Sequence, residues 1–154
     1  VAGAAARMTM TVVLYFAFIA LFFAVLQPGA LVPATAWLSM PIGILAGLSF
    51  GVPLMAYAAS IVDDKGQFAL VQRFVFMPMF LFSGTFYPLT NLPIGLQWIG
   101  WISPLWHATE LGRVVTYGAE VAPGMIAVHL IYLLALTAGG LVVAWRLFAR
   151  RLAA

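Results

Sequence analysis

Three side chains capable of acid–base or ionic chemistry follow one another at intervals of three residues: His107, Glu110 and Arg113. On a helix, residues three apart are neighbours, so these three form a loose polar stripe. One interpretation is a polar cluster at the outer mouth of a pathway. The other is a local Glu110–Arg113 pair that lets a short helix sit at a water boundary. The sequence leaves both interpretations open.

No catalytic or metal-binding residue is predicted. A His and a Glu three apart resemble half of a two-metal helix motif, but the chain holds no second pair of this kind, and His129 stands alone in a long apolar segment. The absence of cysteine excludes thiolate metal sites and disulfides. The sequence also lacks a phosphate-binding G-x-x-x-x-G-K-[ST] loop and the H-E-x-x-H and G-x-S-x-G motifs. We therefore expect no nucleotide to be bound or hydrolysed by this chain.

Composition places the chain in a membrane. Of its 154 residues 65% are apolar and only 7% are charged, and the mean hydropathy is +1.10, whereas soluble domains carry about 25% charged residues. Charges are missing from three long stretches, residues 8–62, 74–109 and 121–145. The basic residues are spread along the chain without aromatic interleaving, which does not favour nucleic-acid binding.

Four stretches are apolar enough to be membrane-spanning helices, which need about 20 residues each: residues 8–27, 35–62, 68–87 and 124–146. The segment 92–117 is rich in tryptophan and is interrupted at Pro104. Basic residues collect on the cytoplasmic side of membrane proteins. That rule is satisfied when segment 92–117 does not cross, because Lys65 and the C-terminal arginines then share one side. We therefore predict an all-α membrane protein with four spans, and an extracytoplasmic re-entrant helical hairpin at residues 92–117, before the last span. The C-terminus is expected in the cytoplasm, and the protein in the cell membrane.

Two further groups of residues are candidates for contacts with other chains. Small residues recur every four positions at Gly43, Gly47 and Gly51, a spacing that lets helices approach closely, inside the bundle or across a dimer interface. The strongly polar loop between the second and third spans is equally a docking site for a soluble partner or an ordinary solvated turn; it contains Asp63, Asp64, Lys65 and Gln67.

Two local motifs resemble the ABC-2 family, the membrane subunits of ATP-binding cassette exporters. Residues 81–93, LFSGTFYPLTNLP, are similar to that family's SG-x-x-[FY]-P-L-x-x-LP junction, and residues 104–113, PLWHATELGR, to its P-L-x-H-x-x-E-x-x-R helix. Within the family, the sequences of these two motifs most resemble the branch of lipo-oligosaccharide (NodJ) and daunorubicin-type drug exporters.

The resemblance implies a permease of six spans, of which this chain holds the last four and lacks the first two. It implies a second permease copy, two ATPase subunits that use ATP and Mg²⁺, surrounding membrane lipid, and an amphiphilic substrate such as a drug, lipid or lipo-oligosaccharide. By position, an outer gate would contain Ser83, Gly84, Pro88, Pro104, His107, Glu110 and Arg113. Two other functions stay open: an ATP-independent channel or secondary carrier, and a membrane enzyme of lipid metabolism that uses His107 and Glu110.

Overall fold

The computed structural model describes the backbone of residues 2–26, 29, 31–61, 63 and 65–152, and within that part of the chain every regular element is helical. In chain order these elements are α1 (Ala2–Leu26), α2 (Pro33–Ala36), α3 (Ser39–Ser60), α4 (Gln67–Val71), a π-helical segment (Gln72–Phe76), α5 (Met77–Leu81), a 3-10 turn (Leu89–Asn91), α6 (Ile94–Ile102), α7 (Pro104–Tyr117) and α8 (Pro123–Leu152). The predicted all-α class is confirmed for these residues.

Among the described residues, two helical stretches are long and apolar enough to cross a membrane, Pro33–Ser60 and Pro123–Ala149. They coincide with the predicted second and fourth spans. Helix α1 has 25 residues, which corresponds to about 37 Å, and it occupies the predicted first span up to residue 26; residue 27 lies outside the described residues. The count of four spans stays a prediction.

The predicted third span is shorter in the structure than in the sequence analysis. The continuous helix Gln67–Leu81, made of α4, the π-helical segment and α5, has 15 residues, or about 22 Å, against about 30 Å for a bilayer core. Residues 82–87 of the predicted span are not helical. The reason is Gly84, whose φ of +78° turns the chain in a way that a helix does not allow.

Helices α3 and α8 pack side by side and run in the same direction. Near their beginnings, Ala46 packs on the buried cluster that contains Leu133. Further along, Gly140 faces the ring of Pro53, and near the far ends Ser60 and Leu147 line one groove. Early residues of one helix therefore meet early residues of the other.

The helix Gln67–Leu81 returns along α3 in the opposite direction. The rings of Tyr57 and Phe68 are 6.2 Å apart, and those of Phe50 and Phe76 are 5.4 Å apart. Later residues of the returning helix therefore meet earlier residues of α3. By Leu81 the chain is back at the half of the bundle where α3 and α8 begin.

Two short helices, α6 and α7, form a hairpin that meets at Ser103 and Pro104, where the sequence predicted a break. Proline has no N–H and disfavours helical geometry in the residue before it; Ser103 is extended, with φ −77° and ψ 120°. The far end of α7 lies beside α2, just before α3 begins: the amide of Val32 donates to the carbonyl of Thr116 at 2.8 Å.

The tip of this hairpin lies part of the way down the bundle. The hydroxyl of Tyr132 donates to the carbonyl of Ile102, and Tyr132 is nine residues into α8, about 13 Å from its start. Ser103 also lies within reach of Met79 on the returning helix, at 3.5 Å between Oγ and the carbonyl oxygen. The tip is thus held between two neighbouring helices.

Candidate functional site

The segment that leads into the hairpin is a tight turn built on Ser83. Ser83 is fully buried, and its hydroxyl donates to Oγ1 of Thr85 at 2.8 Å while it accepts from the amide of Thr85 at 3.2 Å. Thr85 in turn approaches Thr109 of α7 at 3.4 Å. Gly84 sits inside this turn, and a Cβ on it would lie 3.1 Å from Cδ1 of Trp106. The turn therefore fits closely against α7.

Arg113 joins α7 to that turn. Its Nη1 donates to Oε1 of Glu110 at 2.8 Å, and its Nη2 donates to the carbonyl oxygen of Gly84. Glu110 and Arg113 therefore form the local ion pair that the sequence suggested. Both are partly buried, with 20% and 25% of their side chains exposed, and the pair also fixes a backbone carbonyl 29 residues earlier in the chain.

Pro88 begins a second contact between the turn and the hairpin. Its carbonyl accepts from the amide of Asn91 at 3.0 Å, and this 3-10 turn directs Leu89 inward, where only 5% of it is exposed. Leu89 lies against Gly100 of α6; a Cβ at Gly100 would be 2.6 Å from the Leu89 side chain and 3.0 Å from the carbonyl of Phe82. No packing role for Gly100 was predicted from its sequence position.

His107 does not share the contacts of Glu110 and Arg113, so the predicted polar stripe divides. Its ring turns toward α8, where its Nδ1 lies 2.7 Å from Nδ1 of His129. Its Nε2 lies 2.9 Å from the carbonyl oxygen of Trp101. Both histidines are buried, with 4% and 2% exposed. His129, which the sequence left alone, is the residue that sequence reasoning missed.

Aromatic rings surround the two imidazoles. Tyr132 stacks on His107 with ring centroids 4.0 Å apart and planes 20° apart. Trp106 meets His107 and His129 edge to face, at 4.9 and 5.1 Å. The indole N–H of Trp106 is the one buried side-chain donor without a partner among the described residues.

Beneath the hairpin tip lies an apolar cavity of about 660 Å³, between α3, the returning helix Gln67–Leu81, α6 and α8. Its lining includes no charged side chain, and its polar side-chain groups are the hydroxyls of Ser49, Tyr57, Ser103 and Tyr132 and the indole N–H of Trp98. Phe74 and Trp98 line it and are still more than half exposed, so the cavity opens on the outer surface of the helices. This size and lining are typical of sites for small apolar ligands.

The glycines of α3 at positions 43, 47 and 51 do not pack within the described part of the chain. A Cβ at any of them would meet nothing within 4 Å, and all three are exposed. Helix packing through glycine occurs instead at Gly140. Close packing of this glycine face, against other helices of the bundle or across a dimer interface, therefore stays a prediction.

The polar loop lies at the end of the bundle opposite the start of α3. Asp63 and Lys65 are exposed, and the side chain of Gln67 accepts from the amide of Lys65 at 2.9 Å; Asp64 lies outside the described residues. Among the described cationic side chains, Lys65, Arg73 and Arg146 belong to this half of the bundle, whereas Arg113 lies in the half that contains the hairpin.

Comparison with known proteins gives one family and one relative. The family described as ABC-2 type transporter matches residues 1–117. Nodulation protein J of Rhizobium leguminosarum bv. viciae is 30% identical over 97 residues, which cover 60% of this chain and 37% of that protein. The aligned part thus spans little more than a third of its relative. No solved structure is a significant match.

Proposed function

The chain belongs to the ABC-2 type transporter family, whose members are transporter membrane subunits, and on that premise we propose that it is part of an ABC exporter permease. In this proposal it forms the path for an amphiphilic substrate such as a drug, lipid or lipo-oligosaccharide. A separate ATPase subunit supplies the energy, using ATP and Mg²⁺. The chain sits in the cell membrane with its C-terminus in the cytoplasm.

The observation that carries the proposal is the parallel packing of α3 and α8. Two parallel spans require the chain between them to return once across the membrane, and the helix Gln67–Leu81 runs in that returning direction. The hairpin then has to enter and leave on one side; a further crossing would make α8 antiparallel to α3. Irregular backbone at membrane depth is tolerated where protein or a cavity surrounds it, and Ser103 lies above such a cavity.

The cavity supports an apolar or amphiphilic substrate. Its wall offers Phe50, Leu54 and Ile99 to an alkyl chain and holds no charge that would bind an ion. Desolvating a charged group there would cost several kcal/mol, roughly 2.5–3.5 on insertion scales. An alkyl chain loses nothing by the same transfer from lipid.

Partners are assigned by position. The loop that contains Asp63 and Lys65 lies on the cytoplasmic side in this topology and serves as a secondary contact for the ATPase dimer. The exposed glycine face at 43, 47 and 51 is the contact for a second permease copy or for other helices of the full protein, because small residues favour close helix approach in lipid.

Labelling of single cysteines in the full-length permease tests the topology. The chain has no cysteine of its own, so Asn91→Cys, Glu120→Cys and Asp63→Cys each add one site at an exposed position. A reagent that does not cross membranes should label Asn91→Cys and Glu120→Cys in intact cells and Asp63→Cys only after permeabilisation. Labelling of the first two from opposite sides would overturn the proposal.

Reconstitution tests the activity. The full-length permease and its ATPase, in liposomes with a fluorescent lipid or amphiphilic dye, should move the substrate only when ATP and Mg²⁺ are present. A variant ATPase that binds but does not hydrolyse ATP is the control. Flux without any ATPase would identify an ATP-independent channel or carrier instead.

A further inference from the structure

The hydrogen-bond pattern of His107 fixes where its proton lies. The carbonyl of Trp101 only accepts, so His107 donates to it through Nε2. A neutral imidazole has one N–H, which leaves Nδ1 of His107 as an acceptor. The Nδ1 of His129, at 2.7 Å, must therefore be the donor. The contact between the two Nδ1 atoms therefore holds one hydrogen. A second hydrogen there would point directly at the first.

The pair can accept one further proton without losing this contact. That proton goes to Nε2 of His129, whose Nδ1–H still donates to His107, and the hydrogen bond becomes charge-assisted. A second further proton has only Nδ1 of His107 left. Protonation there would point two N–H donors at each other and place two positive charges on rings whose centroids are 4.9 Å apart.

Among the described residues, the elements packed around the two rings offer no free counter-charge for such a doubly charged pair. On α7, Glu110 is paired with Arg113, which also donates to the carbonyl of Gly84. On α8, Tyr132 donates to Ile102, and the one charged side chain described there, Arg146, is 17 residues beyond His129. Of the other neighbours, α6 carries no ionisable side chain, α3 carries only Tyr57, and the returning helix carries only Arg73.

We propose that His107 and His129 form a latch that holds the hairpin tip against α8 while at least one of the two imidazoles is neutral, and that releases the tip when both are protonated. His129 is then a positioning residue for the hairpin. The latch crosses the boundary between the two elements that would have to separate if the tip moved. Its consequence for an outer gate rests on the proposed export function; the latch itself does not.

A cysteine at Ser103 reports the position of the tip. Ser103 is 4% exposed, Ser→Cys changes its size little, and it adds the first thiol to this chain. In the full-length permease in membranes, the rate of labelling by a small permeant thiol reagent is measured between about pH 4.5 and 8, a range that brackets histidine protonation.

The control variant is His129→Asn, measured with the same reporter at each pH. Its side-chain amide can donate to neutral His107 or, after rotation, accept from protonated His107, so it preserves the contact without a second titrating ring. Because the reporter thiol is identical, the ratio of the two labelling rates cancels the pH dependence of the thiol. A third variant, His129→Leu, removes the contact altogether.

We divide the labelling rate of the protein with both histidines by that of His129→Asn, each carrying the Ser103→Cys reporter. This ratio should be near 1 at alkaline pH and rise about tenfold or more at acid pH, as the second proton enters. The His129→Leu variant should be labelled rapidly at every pH. A ratio that stays near 1 throughout would overturn the latch, since the contact would then be purely structural. So would rapid labelling of the parent protein at alkaline pH. The reporter needs no transport, so a failed export assay contradicts the proposed function and leaves the latch result standing.

Discussion

Gly140 of α8 lies directly against Pro53 of α3: a Cβ on Gly140 would be 2.8 Å from Cδ and 2.9 Å from the backbone nitrogen of Pro53. Proline inside a helix leaves a carbonyl without its usual donor and tends to bend the helix. Because Gly140 has no side chain, α8 can approach the proline of α3 closely at this point. In lipid, where apolar burial gives helices little reason to associate, such close backbone approach supplies much of the packing energy.

We predict that Gly140→Ala destabilises the protein by about 1–3 kcal/mol, as overpacking usually does. The clash involves the proline ring and its backbone nitrogen, neither of which can rotate away. The measurement is the thermal unfolding midpoint of the full-length protein in detergent. Gly139→Ala is the matched control, because nothing lies within 4 Å of a Cβ there; equal midpoints for the two variants would show that α3 and α8 do not pack as described.

Gly84→Ala should weaken the turn before the hairpin. With φ at +78°, an alanine costs about 1–2 kcal/mol, and its Cβ would also crowd Trp106 at 3.1 Å. The carbonyl that Arg113 binds would shift as well. We expect lower thermal stability and lower export. Gly95→Ala, in α6 with open space around it, should leave both near the parent values, and a similar loss in that control would count against a specific role for Gly84.

Gly100 and Leu89 should be coupled. A Cβ at Gly100 would meet Leu89 at 2.6 Å, so Gly100→Ala alone overpacks the site, and Leu89→Ala alone leaves a cavity that costs about 2–5 kcal/mol. In the double variant the new methyl enters space that the leucine has left. In a double-mutant cycle, the losses in unfolding free energy of the two single variants should therefore sum to about 0.5–3 kcal/mol more than the loss of the double variant. Additive losses would contradict the contact.

Local chemistry predicted much of this architecture. The break before Pro104 follows from the missing N–H and the steric restriction on Ser103, so it was visible in the sequence. The end of the returning helix at Leu81 was missed because residues 82–87 contain no charged residue and no proline before Pro88, and hydropathy does not register the left-handed backbone of Gly84.

The pairing of His107 with His129 had no sequence signal beyond the presence of two histidines in apolar segments. They are 22 residues apart on different helices, and their meeting depends on how α7 packs on α8. The glycine spacing on α3 also predicted less than the structure shows. It identified a face suited to close packing, but only tertiary structure reveals that Gly140 contacts Pro53 while positions 43, 47 and 51 stay open.

Filling the cavity under the hairpin tip should impair export of long amphiphiles more than short ones. Leu136 lines both this cavity and the adjoining groove between α3 and α8, so Leu136→Trp places an indole where an alkyl chain is proposed to lie. Leu134→Trp is the control; Leu134 is 55% exposed on the outer surface of α8.

The measurement is ATP-dependent transport of fluorescent lipids of graded chain length by the full-length permease with its ATPase, with thermal unfolding checked for both variants. Burial of each CH₂ is worth about 0.8 kcal/mol relative to water, but here the alkyl chain moves into the cavity from lipid. Discrimination between chain lengths should therefore depend on the volume left in the cavity. We expect Leu136→Trp to reduce export several-fold for the longest chains and little for the shortest, with Leu134→Trp unaffected. An equal reduction at every chain length would place the substrate path outside this cavity.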